Sequence, residues 1–249
     1  MRVRQSLLFF GLAAALSGCG SNGRGSQDAS RSADSIQATK LATAAAPADL
    51  GDSLLAHVNG RSIGVYRSAA ATRPARFLAN PTRYGFPLVL LVKRSLPGWL
   101  DVYLPSRPNG STGWIRQADA RLTQDPFRVV VNLRRHRLTV SRGTRIIDRA
   151  PVGVGHAVTP TPSGVYFITE LFRLTSPDGP YGPYGFGLSA YSNVLHEFAG
   201  GNGQIGIHGT NDPTGIGSDV SHGCIRLANP QITKLAGLLP LGTPVRIER

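Results

Sequence analysis

The sequence predicts a mainly β protein, with a small barrel of short strands followed by a larger β-rich domain. Three observations lead there. Apolar residues recur in short alternating runs bounded by turn residues. The 249 residues include 30 glycines and 18 prolines, so the chain changes direction often. Only one stretch, near the C-terminus, carries helical periodicity. Hydrophobic residues make up 41% of the chain, enough to bury a core.

The first residues stand apart from any fold. Arg2 and Arg4 precede an apolar run from Leu7 to Leu16, and Ser17 and Gly18 lead into Cys19. That pattern predicts a secretory signal peptide over 1–18, and the run is too short to span a bilayer as a helix. Leu16-Ser17-Gly18-Cys19 resembles a bacterial lipobox, which implies lipidation of Cys19, a membrane anchor and a place in the cell envelope. Residues 19–50 are rich in Ala, Ser, Gly, Asp and Thr and read as a disordered tether. About 30 such residues reach roughly 30 Å as a random coil.

From 51 to 122 the apolar alternation predicts five short strands: Leu54 to Val58, Ser62 to Tyr66, Pro87 to Lys93, Trp99 to Leu104 and Ser111 to Arg116. Asn59-Gly60 predicts a hairpin between the first two, since both residues tolerate positive φ. Five strands in about 70 residues resemble a small SH3-like barrel. Its Trp99 and Trp114 suit core packing better than a ligand platform. Thr123 to Pro126 marks the boundary with a second domain over 126–249. Strands are predicted there at Phe127 to Leu133, Arg137 to Ser141, Thr144 to Val152, Gly164 to Thr169 and Ile205 to His208. A helix is predicted over Pro230 to Leu239, with Ile232, Leu235, Ala236 and Leu239 on one face.

The formal charge is +13. Nucleic acid is a conceivable partner for such a chain. The basic residues are scattered, however, and the signal peptide directs the chain out of the cytoplasm. An anionic envelope surface is therefore the expected partner, and nucleic acid is not.

If Cys19 is lipidated, Cys224 has no intramolecular disulfide partner. A lone thiol in an exported protein is open to oxidation, and reactivity is the usual reason to keep one. Cys224 lies in the densest chemical cluster of the chain, IGIHGTNDPTGIGSDVSHGCIRL, from Ile205 to Leu227. A thiol of ordinary pKa is only about 3% ionised at neutral pH. A neighbouring imidazole raises that fraction and later returns the proton to a leaving amine. Small residues beside Cys224 admit a substrate carbonyl, so the amides of Gly223 and Cys224 are candidate oxyanion donors. Local spacing leaves both His208 and His222 open as the base.

The pairing of IHG with SHGCIRL resembles the signature of the L,D-transpeptidase catalytic domain. The likeness extends over about 126–248, including TPTPSG, which ends at Gly164, and GPYGPYGFGLS. It implies a β-rich catalytic domain, Cys224 as nucleophile and His208 as general base. It also implies that Ser221 and His222 shape the nucleophile loop and that the Gly209 carbonyl orients His208. Arg226 is a candidate for binding a stem carboxylate, with a structural ion pair as the alternative. The implied substrate is the peptide stem of peptidoglycan, and no metal or organic cofactor is needed. Acceptors in this family include a neighbouring stem, giving a 3-3 cross-link, an envelope lipoprotein, or water.

Other readings of the same residues compete. His208, His222 and Cys224 suit zinc, with Asp212 or Asp219 as a fourth ligand. An inert glycine-rich loop with a buried thiol is a second alternative, and a non-catalytic wall-binding lipoprotein a third. His57, His136, His156 and His196 lack comparable surroundings and read as structural or surface residues. The aromatic, Gly/Pro-rich stretch from Ser176 to Phe186 is a candidate lid. Its Tyr181 and Tyr184 are candidate substrate contacts.

Overall fold

A computed structural model describes residues 52–249. The predicted signal peptide, Cys19 and the predicted tether lie outside the described residues. The chain runs β1 (Ser53–Val58), β2 (Ser62–Val65), β3 (Arg76–Ala79), β4 (Val89–Leu96), β5 (Trp99–Tyr103), β6 (Thr112–Arg116) and β7 (Ala120–Asp125). It continues through β8 (Phe127–Asn132), β9 (Arg137–Arg142), β10 (Arg145–Pro151), β11 (Val154–Gly155), β12 (Gly164–Arg173) and β13 (Tyr184–Tyr191). The last elements are β14 (Gln204–His208), β15 (Asp219–Ser221), β16 (Ile225–Arg226), helix α1 (Asn229–Ala236) and β17 (Pro244–Glu248). The architecture is mainly β, as the sequence predicts.

Five N-terminal strands form one sheet in the order β6-β5-β4-β1-β7, and β2 pairs separately with β3. The expected β1–β2 hairpin does not form. Gly60 does adopt a positive φ of 66°, yet β1 pairs with β4 and β7 on either side. The Asn80 side chain donates to the carbonyls of Val58 and Gly60 and steers the chain away into the β2–β3 ribbon. Tertiary hydrogen bonds outweigh the local turn signal. β7 follows β1 from Ala120 to Asp125, and the next strand opens at Phe127 after Pro126.

The C-terminal unit is an eight-stranded sheet in the order β10-β9-β8-β17-β12-β13-β14-β16. Its core gathers Val129, Leu138, Tyr166, Ile168, Leu188 and Ile207 with the helix residues Ile232 and Leu235. Helix α1 has Pro230 in its first turn and ends at Gly237. It is shorter than the predicted helix, and Leu239 reaches the core from beyond its end.

β12 is buried on both faces, which explains its nearly continuous apolar run. Side chains alternate along a strand. Tyr166 and Ile168 point into the C-terminal core, while Phe167 joins Leu55, Leu90 and Leu100 in the N-terminal core. Full burial of a phenylalanine contributes roughly 2–3 kcal/mol, so this strand welds the two units. Buried Thr243 donates to Asp125 across the same junction at 2.6 Å.

Candidate active site

Cys224 sits between β15 and β16, and β14 lies parallel to β16 with His208 opposite Arg226. The pairing follows from apolar residues on both strands, Ile207 opposite Ile225. It brings the chemistry of two loops to one sheet edge. Cys224 and His208 line the same two clefts, of about 240 and 260 Å³.

The nucleophile loop is held by its own polar atoms. Ser221 Oγ donates to the Cys224 carbonyl at 2.5 Å and accepts from the Gly223 amide at 3.1 Å. Thr161 Oγ1 donates to the Gly223 carbonyl at 2.8 Å and accepts from the Gly155 amide. The TPTPSG stretch thus buttresses the loop from behind. Gly223 has φ 123°, where a side chain would be strained.

The expectation that the Gly223 amide faces an oxyanion needs correction. That N–H already bonds to Ser221 Oγ, which leaves the Cys224 amide as the remaining donor of the expected pair. Sequence reasoning also missed the Gly206 amide, which donates to Cys224 Sγ at 3.4 Å. The parallel β14–β16 pairing that produces this contact joins segments 18 residues apart and has no local sequence signal.

His208 is buried, at 6% exposure. Its Nδ1 lies 2.5 Å from the Gly209 carbonyl, and because a carbonyl only accepts, Nδ1 carries the proton. Nε2 is left as the acceptor. Burial pushes the His208 pKa down to about 4, against a raising effect of the Gly209 carbonyl, and the nearby Arg226 charge lowers it further. Burial likewise raises the Cys224 thiol above its ordinary value, with smaller opposing effects from the Gly206 amide and Arg226. Both directions disfavour a resting thiolate–imidazolium pair. Iodoacetamide labelling of Cys224 should accordingly still be accelerating at pH 9; a rate that levels off below pH 8 would reveal a thiolate at rest.

His222 is exposed. Its ring stacks on Phe198 at 4.9 Å and meets His156 edge-on at 5.4 Å. It lines only the larger cleft, together with Cys224, Ser221 and Arg226. The Nε of Arg226 is buried without a hydrogen-bond partner among the described residues.

Tyr181 meets the His208 ring edge-on at 4.9 Å and lines both clefts. Tyr184 is placed differently from Tyr181. It opens β13, packs against the C-terminal core and lines a separate recess with Arg173 and Pro183. The loop of the candidate lid therefore ends at Pro183, and Phe186 is a buried strand residue.

The zinc alternative finds no support in the geometry. Asp219 pairs with His136 at 2.8 Å, and Asp212 caps the turn at Thr214. No three His, Cys, Asp or Glu residues gather into a possible metal site among the described residues.

Loop 192–203 walls both clefts through Phe198 and Gly203. It turns tightly at Ala199 and Gly200, both with positive φ. Arg107, from the N-terminal unit, holds this loop by donating to the carbonyls of Ser192, Leu195 and Asn202 at 3.0–3.1 Å. Asn109 adds a bond to the Tyr191 carbonyl at 2.7 Å.

Comparison with known proteins bears on this geometry. Residues 126–247 match the YkuD family, described as the L,D-transpeptidase catalytic domain. A Bacillus subtilis protein named L,D-transpeptidase YkuD is 37% identical over 124 residues, covering 50% of this chain and 67% of the relative. Another from the same organism, named L,D-transpeptidase YqjB, is 34% identical over 137 residues, covering 51% and 73%. The Salmonella typhimurium protein named L,D-transpeptidase ErfK/SrfK is 34% identical over 196 residues, covering 71% of this chain and 60% of its own length. With a matching catalytic domain and such identity over two thirds or more of two relatives, the chain belongs to the L,D-transpeptidase family.

Proposed function

We propose that the protein is a cysteine acyltransferase acting on the tetrapeptide stems of peptidoglycan. The observations that carry this reading are that Cys224 and His208 line the same two clefts and that the His208 Nδ1 proton is committed to the Gly209 carbonyl. In the first step Sγ attacks the carbonyl at the L-to-D junction of a stem. The thiol proton passes to Nε2 of His208 as the C–S bond forms, because neither group is charged at rest. The Cys224 amide stabilises the developing oxyanion. His208 then returns the proton to the leaving nitrogen, the C–N bond breaks, and the terminal D-alanine departs.

An amine on a neighbouring stem attacks the resulting thioester, His208 passes the amine proton to sulfur, and the C–S bond breaks to return the Cys224 thiol and give a 3-3 cross-link. Tyr181 and the loop before Pro183 cover the site in this reading and keep water from the thioester. Arg226 stands in the larger cleft as the partner for a stem carboxylate. Incubation of the full chain with a defined tetrapeptide-stem fragment tests the reaction. Mass analysis should find dimer shortened by one D-alanine; an unchanged stem would reject the reading. Monomer lacking D-alanine without dimer would replace the amine by water as acceptor, and a lipoprotein acceptor would appear as a stem adduct on that protein.

The reaction is proposed to take place in the cell envelope, with Cys19 lipidated and residues 19–50 acting as a tether. Three acyl chains would hold the protein stably, since each buried CH₂ contributes about 0.8 kcal/mol. Cys19→Ser should move the protein from the membrane fraction to the soluble fraction or leave it unprocessed. Wild-type protein that is soluble after fractionation and carries no lipid mass would refute the anchor.

A further inference from the structure

The smaller cleft at Cys224 is not built by the catalytic unit alone. It runs from Cys224 and His208 to Arg83 and Tyr84, which belong to the segment between β3 and β4. Apart from these, its walls are mostly glycines and apolar residues such as Phe172, Leu174 and Phe198. With His208 neutral, Arg83 is the sole charged side chain among the described residues that line it.

Arg83 is exposed beside aromatic contacts that cross the junction of the two units. Its guanidinium lies 4.9 Å over the Tyr84 ring. Tyr84 meets Phe172 of β12 edge-on at 5.6 Å, and Phe86 meets the same ring at 5.1 Å. The Arg107 clamp on loop 192–203 fixes the opposite wall. None of the ion pairs among the described residues includes Arg83. The acid that feels its charge is Glu170, which is buried and occupied by hydrogen bonds from Thr169 and Gln204. A cation without a carboxylate partner, at the end of an apolar cleft, fits an occupant that brings one anion to that end.

We propose that Arg83, supplied by the N-terminal unit, binds a free carboxylate on the acyl chain seated at Cys224, so that the cleft selects stems bearing that carboxylate over amidated stems. The inference rests on the acyl transfer proposed above and names a further substrate-binding residue for it. Arg226, which lines the other cleft, is left to a carboxylate of the acceptor stem.

The test uses the full chain and two synthetic tetrapeptide stems that differ only in one carboxylate, free in one and a carboxamide in the other. Wild type should favour the free acid by about tenfold in kcat/KM, mostly through KM. Arg83→Gln should remove that preference by weakening use of the free acid alone, and Arg83→Lys should restore part of it. Iodoacetamide labelling of Cys224 should be equal in all three proteins, because Arg83 does not support the fold of the nucleophile loop. Equal use of the two stems by wild type would overturn the role of Arg83, as would an equal loss for both stems in Arg83→Gln. Turnover of neither stem by wild type would instead overturn the acyl-transfer reading, and the Arg83 assignment with it.

Discussion

Replacing Cys224 by alanine should abolish stem turnover, by more than about 10⁴-fold, while the protein stays folded. The sulfur is the one thiol among the described residues, and it lines both clefts with His208. Ser221, the nearest candidate, has its hydroxyl committed to the Cys224 carbonyl and the Gly223 amide. The structural cost is small. The Gly206 amide loses its contact with Sγ, worth about 1 kcal/mol for an ordinary hydrogen bond. Circular dichroism and thermal melting should therefore change little as turnover vanishes. Cys224→Ser keeps an acceptor for the Gly206 amide but presents a hydroxyl far harder to deprotonate, and it should be nearly as inactive. A folded Cys224→Ala protein that still releases D-alanine would end the proposed mechanism.

His208→Ala should lower the rate of acylation by about 10² to 10⁴-fold, the usual contribution of a general base. His222→Ala should have a much smaller effect, since that ring is exposed and stacked on Phe198. The pH–rate profiles of the two variants separate the roles. His222→Ala should keep the wild-type profile, and His208→Ala should lose its acid limb. If the limb disappears with His222→Ala instead, the assignment reverses. Burial of neutral His208 also makes stability depend on pH. Its folded pKa, about 4, lies below the ordinary imidazole value of 6.5. Between those values the unfolded chain binds the extra proton, so stability rises with pH there and is lost as the solution is acidified. His208→Gln should flatten the urea midpoint between pH 6.5 and 4.

The chemistry was more legible in the sequence than the scaffold that carries it. Cys224 and His208 lie in one short segment with few competing reactive side chains, so proximity in sequence becomes proximity in space. Strands with an apolar alternation, such as β1, β8 and β9, could be read from residue pattern alone. β13 could not. Its sequence YGFGLSAY carries two glycines and follows a Pro/Gly-rich loop, so it reads as an extension of that loop. It becomes a strand because β12 and β14 pair with it on both sides. β17 escaped for a similar reason, since it is stabilised by insertion between β8 and β12. The Asn59-Gly60 turn misled because its local preference was met without the hairpin. Arg83 and Arg107 lie over 100 and 80 residues before the loops they serve, and nothing in their own surroundings marks them. Long-range walls of a cleft are set by tertiary packing, which spacing along a chain does not encode.

The central claim is a covalent bond between Cys224 and the shortened stem. The most direct measurement mixes the protein with a tetrapeptide stem, quenches in acid within the first turnover and weighs the intact chain. The account predicts an added mass equal to the stem minus the terminal D-alanine, mapped by proteolysis to the peptide containing Cys224 and missing from Cys224→Ala. Release of D-alanine with Cys224 unmodified throughout, or the same adduct on Cys224→Ala, would contradict it.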